Sequence, residues 1–442
     1  MLTTVIDSIC RAEGPRVLAA LIRRFGDFEL AEDALQDAFT RAIETWPEQG
    51  LPTSPPAWLA TVARRRAIDL LRRRRSGPIY TDEPPDVAAP VIEPEEPDPA
   101  DRSGVSDDRL RLVFTCCHPA IARPAQMALA LRTLCGLSTR EIARAFLEPE
   151  ATTAQRLVRV KKKILDACIP YEVPSRELLA ERLETVLGVV YLVFNEGYST
   201  TGHASLVRPD LCAEAIRLAR LVVELMPDEP EARGLLALML LHDARRATRV
   251  GEDGALVPLE EQDRARWNRA AIDEGVTVLD SALVLHRTGP YQLQAAIAAL
   301  HARATEAAAT DWRQIAALYG GLLRERPSAV VELNAAVAMA MADGPERGLA
   351  WIDRLAASDE LAGYHLLPAA RADLLRRLGR HAEALDAYDA ALALVRSRAE
   401  RLYLERRRLQ CAERIGMARA PRAEPAAREN ADEPGGQRRN NA

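Results

Sequence analysis

Residues 136–146 read Gly136-Leu137-Ser138-Thr139-Arg140-Glu141-Ile142-Ala143-Arg144-Ala145-Phe146. After a turn around Glu148-Pro149-Glu150 comes Ala151-Thr152-Thr153-Ala154-Gln155-Arg156-Leu157-Val158-Arg159-Val160-Lys161-Lys162-Lys163. Ser138 with Glu141 three residues on is a capping box, which satisfies the first free backbone donors of a short helix. A brief turn and a second helix with Leu157, Val160 and Ile164 inward complete a helix-turn-helix. Thr152, Thr153, Gln155, Arg156 and Arg159 are expected to face outward near the start of the second helix. There, short donors and guanidiniums reach base edges in the major groove. Lys161 and Lys162, in the lysine run 161–163, are expected on phosphates. A helical hairpin with no DNA partner is the plain alternative.

Upstream, the prolines Pro55 and Pro56 open a helix that carries Trp58 and then turns strongly basic. Residues 58–75 hold seven arginines (64–66 and 72–75) against the single Asp69, a local charge of +6. Trp58, Val62, Ile68 and Leu71 are expected inward and the arginines outward. An arginine-dense helix beside a tryptophan suits a nucleic-acid strand, with guanidiniums on phosphates and an aromatic under an unstacked base. Before it, Phe28, Ala31, Leu35, Ala38, Phe39, Ala42 and Trp46 recur at helical spacing and form one buried face. Asp33, Gln36 and Asp37 lie on another face. Asp33 and Asp37 repel slightly, which fits a basic partner or simple solvation.

The whole chain has 442 residues, 59 Lys+Arg, 64 Asp+Glu and a net charge of -5, with 48% hydrophobic and 28% charged residues. This is an ordinary soluble composition, long enough for roughly three domains. Residues 1–11 show no basic segment followed by an apolar run, so no signal peptide is expected. No run of ~18 apolar residues marks a membrane span. Seven cysteines in this length make no disulfide framework, and a reduced, cytoplasmic compartment is expected. Few aromatics and scarce β-branched runs predict an all-α chain.

Charge and proline content divide the chain. Residues 1–75 form a first helical domain. Residues 76–106 carry seven prolines and eight acidic side chains, among them Glu93, Glu95, Glu96 and Asp98, and read as an extended linker. Residues 107–170 hold the helix-turn-helix domain. Residues 175–415 are helix upon helix, and 419–442 read as a disordered tail. Ala316, Ala350 and Ala384 stand 34 residues apart, and Gly379, Ala384, Tyr388 and Ala391 follow a tetratricopeptide-like pattern. Cys116-Cys117-His118 lacks a second ligand pair nearby and reads as apolar filler, so no metal is expected. No phosphate-binding glycine loop, nucleophile elbow or paired-carboxylate signature is present. No catalytic residue, cofactor or enzymatic activity is therefore expected.

In this order the motifs resemble the sigma-70 family of RNA polymerase initiation factors, specifically its extracytoplasmic-function group. Phe25-Gly26-Asp27 with residues 31–39 resembles that group's polymerase-binding helix. Residues 56–59 with 67–72 resemble its promoter −10 helix, and Leu137-Ser138 with Glu141-Ile142-Ala143 and the following helix resemble its −35 reader. The resemblance implies that Asp33, Gln36 and Asp37 meet the largest polymerase subunits. It implies that Trp58, Arg64, Arg65, Arg66, Asp69, Arg72 and Arg73 serve the −10 element. Residues 191–198 with 211–218 resemble a subgroup carrying a tetratricopeptide-like extension, which implies regulation within one chain. Asn195, Glu196, Tyr198 and His203 are candidates for a regulatory site there, with Gly197 and Gly202 letting a helix end. The rival reading is a helix-turn-helix transcriptional regulator whose repeat domain is a sensor.

Overall fold

The computed structural model describes residues 2–76, 108–146, 148–199 and 208–419. The acidic linker, the tail beyond 419, Gly202 and His203 lie outside the described residues, as do the side chains of Arg74 and Arg75. Among the described residues the chain is helical throughout, with one isolated bridge between Val250 and Leu256.

The first module is α1 (Leu2–Phe25), α2 (Phe28–Gln49) and α3 (Pro55–Ser76). Gly26 at φ +67° reverses the chain after α1, and its N–H donates to the Ile22 carbonyl at 2.8 Å. Asp27 then caps α2, accepting from the Leu30 N–H at 3.0 Å. The helical spacing is realised in α2: Phe28, Ala31, Leu35, Ala38, Ala42 and Trp46 are buried, and Phe39 is half-buried. Leu59, Ala63 and Ala67 of α3 bury the opposing face.

The second module is α4 (Asp108–Cys116), α5 (Arg123–Thr133), α6 (Thr139–Ala145) and α7 (Glu150–Asp166). The capping box forms as read. The Ser138 N–H donates to the Glu141 carboxylate at 2.7 Å, and the Glu141 N–H donates to Ser138 Oγ at 3.3 Å. Leu157, Val160 and Ile164 of α7 are buried. Cys116 and Cys117 are core residues, and the Cys116 thiol lies 3.7 Å from the Thr133 hydroxyl. Burial pushes the Cys116 thiol up to about 12.

Eleven further α-helices follow among the described residues: α8 (Arg176–Tyr198), α9 (Pro209–Leu225), α10 (Pro230–Asp243), α11 (Arg269–Leu283), α12 (Pro290–Arg303), α13 (Trp312–Glu325), α14 (Ala329–Asp343), α15 (Pro345–Ala356), α16 (Leu366–Arg377), α17 (His381–Leu394) and α18 (Arg398–Arg419). From α13 onward each packs on the next. Gly379, at φ +73°, joins α16 to α17, and Ala384, Tyr388 and Ala391 are buried. The 34-residue spacing of the alanines, however, is not the structural register. Ala350 is exposed and Ala316 half-buried. In α15 the close approach belongs to Gly348, where a Cβ would lie 2.3 Å from that of Ala340. Gly348 and Ala384 are each the fourth residue of their helix. A single residue, Gly344, precedes α15, whereas Leu378-Gly379-Arg380 precede α17, so the two crossing points are not 34 residues apart.

Burial does not stop at the three expected segments. One continuous apolar cluster runs from Ile6 to Ala302, through α1–α12. A second spans Leu333 to Cys411, and Ile297, Ile315 and Ala338 fill the seam between them.

Candidate nucleic-acid and polymerase interface

Of the residues expected to face polymerase, Asp33 and Gln36 are exposed on α2. Asp37 is half-buried and accepts a hydrogen bond from Arg66 Nε across to α3. Arg66 was expected on DNA, so the fold brings one polymerase candidate and one −10 candidate together. Both side chains keep a third or more of their surface, so the pair is worth little in water and is readily exchanged for an external partner. Arg64, Arg65, Arg72 and Arg73 are exposed along α3, and Asp69 lies 4.0 Å from Arg72. Trp58 is half-buried, edge-on to Trp46 at 5.3 Å between ring centres, which fixes one end of this surface.

The outward face of α7 differs from the one read in the sequence. Thr152, Gln155, Arg159 and Lys162 are exposed, whereas Thr153 is fully buried and donates to Glu148 at 2.5 Å. Arg156 makes a two-pronged contact with Glu148, 2.6 Å to each carboxylate oxygen, and lies over the Phe146 ring at 5.4 Å. Arg156 and Thr153 hold the Glu148 carboxyl below the usual carboxylate range. Glu148 thus fastens the turn to the start of α7. With Pro149 preceding α7, the helix begins such that position 153 turns inward rather than outward.

Lys161 was expected on phosphate; it is buried instead. Its ammonium is hydrogen-bonded to Glu32 Oε2 on α2, and Glu32 Oε1 lies 3.6 Å from Arg132 Nε on α5. The Tyr171 hydroxyl reaches the Asp108 carbonyl at 2.7 Å and the Ala19 carbonyl at 3.1 Å, and Arg23 sits 3.3 Å from Asp108. The two modules are therefore docked on one another, not held apart as separately folded units. Nothing local in the sequence marks this, because Glu32 and Lys161 are 129 positions apart.

The second module also rests on the C-terminal helices. Arg109 of α4 pairs with Glu214 of α9. Burial opposes ionisation of Glu214, but the guanidiniums of Arg217 and Arg109 outweigh it and hold this carboxyl low. Of the four regulatory candidates, Asn195 lines a cavity of about 120 Å³ between α5 and α8, with Arg123, Gln126 and Tyr191. Glu196 is buried. Tyr198 stacks on Phe194 at 5.5 Å and carries the Arg249 guanidinium 3.6 Å above its ring. Asn195 and Tyr198 thus belong to different surroundings. Gly197 does not end a helix, since α8 runs on to Tyr198. What it provides is space, because a Cβ there would meet Cys212 N at 2.7 Å.

Three helices with an arginine-lined third, followed by a capped helix-turn-helix, define an all-α class with two small N-terminal modules. Residues 9–77 match sigma-70 region 2, and residues 182–283 match a family of unknown function, DUF6596. An uncharacterized protein of Rhizobium meliloti (strain 1021) is 45% identical over 402 residues, covering 90% of this chain and 94% of that one. A probable ECF RNA polymerase sigma factor, SigI, of Mycobacterium tuberculosis (strain ATCC 25618 / H37Rv) is 26% identical over 181 residues, covering 40% of this chain and 60% of that one. The chain belongs to the sigma-70 family, in its extracytoplasmic-function group, and carries a helical C-terminal extension. No helix among the described residues is long and apolar enough to cross a membrane.

Proposed function

We propose that this sigma factor directs bacterial RNA polymerase core to promoters whose −10 and −35 elements it reads with α3 and α7, and that the C-terminal helices regulate it within the same chain. The cytoplasm is its place of action. Asp33 and Gln36 are free to meet basic helices of the polymerase, and Asp37 joins them by releasing Arg66. Arg64, Arg65, Arg72 and Arg73 bind the −10 strand. Thr152, Gln155 and Arg159 are the base-reading candidates on α7, with Lys162 on phosphate. Arg156 is a positioning residue that holds the start of α7 through Glu148.

The observation that carries this reading is the Glu32–Lys161–Arg132 contact between the two modules. Promoter elements separated by more than one ~34 Å turn of DNA demand that the modules part. The free chain is then a closed form, and polymerase pulls it open. Its C-terminal helices brace the closed form through Arg109 and Glu214. The acidic linker, with Glu93, Glu95, Glu96 and Asp98, is proposed to run along the polymerase's basic channel.

Purified core polymerase tests this. Addition of the chain yields transcripts from specific promoters that core alone does not make. A chain that binds duplex DNA specifically without polymerase, and gives no transcripts with it, is a conventional regulator and refutes the proposal.

A further inference from the structure

Where α8, α10 and α12 meet, three guanidiniums gather without an ion pair among them. Arg245, Arg249 and His242 surround Tyr198, and Arg264, which lies over the Trp267 ring at 4.8 Å, and His301 are close enough to Arg245 to feel its charge. Two guanidiniums lie over the Tyr198 ring, Arg249 at 3.6 Å and Arg245 at 5.7 Å, and the His242 ring is 5.4 Å from it. Among the described residues none of Arg245, Arg249 or Arg264 has an ion-pair partner. Of the nearby carboxylates, Asp243 is paired with Arg246 at 2.7 Å, and Glu400, 3.3 Å from the His365 imidazole, lends a partial counter-charge to Arg249 but none to Arg245.

The charges are unequally compensated. Arg249 donates to the Tyr198 carbonyl at the end of α8. Arg264 donates to the His301 carbonyl and, at 3.0 Å, to that of Ala304, at the end of α12. Helix C-termini carry partial negative charge, so these two are partly neutralised. Arg245 has only the neutral His242 Nδ1, at 3.2 Å. Two polar atoms in the same cluster, Tyr198 Oη and His301 Nδ1, are buried without a hydrogen-bond partner. Desolvation, then the charge of Arg245 and Arg264, lowers the His301 imidazole to about 4.

Arg264 is buried and Arg245 and Arg249 are half-buried, so crowding their like charges is costly and an anion that balances them is favoured. We infer that Arg245, with Arg249, His301 and Tyr198, forms a binding site for a phosphate-class oxyanion in the C-terminal domain. Guanidinium recognises such an anion through paired, charge-assisted donors, and a hydroxyl and an imidazole complete its oxygens. The site is distinct from the exposed arginines of α3, which are offered to solvent rather than gathered, half-buried, around an aromatic ring. It stands on its own geometry, independent of the promoter-binding role.

The test uses the full chain in phosphate-free buffer at constant ionic strength, titrated calorimetrically with inorganic phosphate and separately with adenosine monophosphate. Saturable binding is expected for at least one, and whichever binds more tightly identifies free ion or ester. Arg245→Met is expected to weaken it by about tenfold or more. In the absence of phosphate the same variant is expected to melt at a higher temperature than wild type, because a repelling charge is gone. A purely structural arginine would give the opposite shift. Absence of saturable binding of either anion, or equal affinity in Arg245→Met, overturns the inference.

Discussion

Glu32 on α2 and Lys161 on α7 form a hydrogen-bonded ion pair across the junction of the two N-terminal modules, with side chains only 19% and 11% exposed. Removing one partner leaves the other charge buried and unpaired, which costs about 2–3 kcal/mol. Glu32→Ala is expected to loosen the junction. Small-angle scattering should report a larger radius of gyration, and thermal melting a lower midpoint. An unchanged radius would mean that apolar packing alone holds the modules together.

The Glu148 carboxyl is held low first by its hydrogen bond from Arg156, then by that from Thr153. A carboxyl whose folded value is depressed contributes stability above its unfolded value, near 4.3, and loses it as pH falls through the lower folded value. Glu148→Gln is therefore expected to melt below wild type at pH 7. The gap should narrow on acidification below about pH 4, where wild type protonates too. A gap independent of pH would assign the cost to packing.

On the proposed function, base reading falls to the residues that α7 leaves exposed. Arg159→Ala or Gln155→Ala is expected to relax promoter choice at one −35 position, by about 1–3 kcal/mol for a bidentate base contact. Arg156→Ala should instead weaken all −35 sequences alike, since it loosens the start of the helix. Transcription from a promoter library with single −35 substitutions distinguishes them. Relaxed choice in Arg156→Ala would return that residue to the base edge.

Gly197 gives α8 its close crossing with α9, where a Cβ would fall 2.7 Å from Cys212 N and 2.9 Å from Leu211 Cβ. Glycine in a helix is ordinarily about 0.5–1 kcal/mol worse than alanine. Here overpacking against backbone, typically ~1–3 kcal/mol, outweighs that gain. Gly197→Ala is expected to lower the melting midpoint, and a rise would show that α9 shifts freely.

Local rules made much of the fold legible. The buried face of α2, from Phe28 to Trp46, is written in its spacing, and the Ser138–Glu141 box marks the start of α6. What the sequence concealed depends on contacts between distant positions. The lysine run 161–163 looks uniform, yet its first member turns inward because α7 presents it to Glu32. Thr153 looked like a neighbour of Thr152, but one step along a helix is a turn of ~100°, and that step carries it into the core. Glu148 lay in the turn between the two helices, and only geometry showed it gripping Arg156. The Arg245-Arg246 pair at the end of α10 is visible in the sequence; the convergence of Arg264 and His301 on it is not.

The central claim is that the docked modules must separate for promoter-specific initiation. In a Cys168→Ser background, which removes the exposed thiol, Glu32→Cys and Lys161→Cys can be joined by a short bis-methanethiosulfonate. The joined chain is expected to lose specific transcription with core polymerase, and a reductant is expected to restore it. Full transcription while the two positions remain joined would contradict the account.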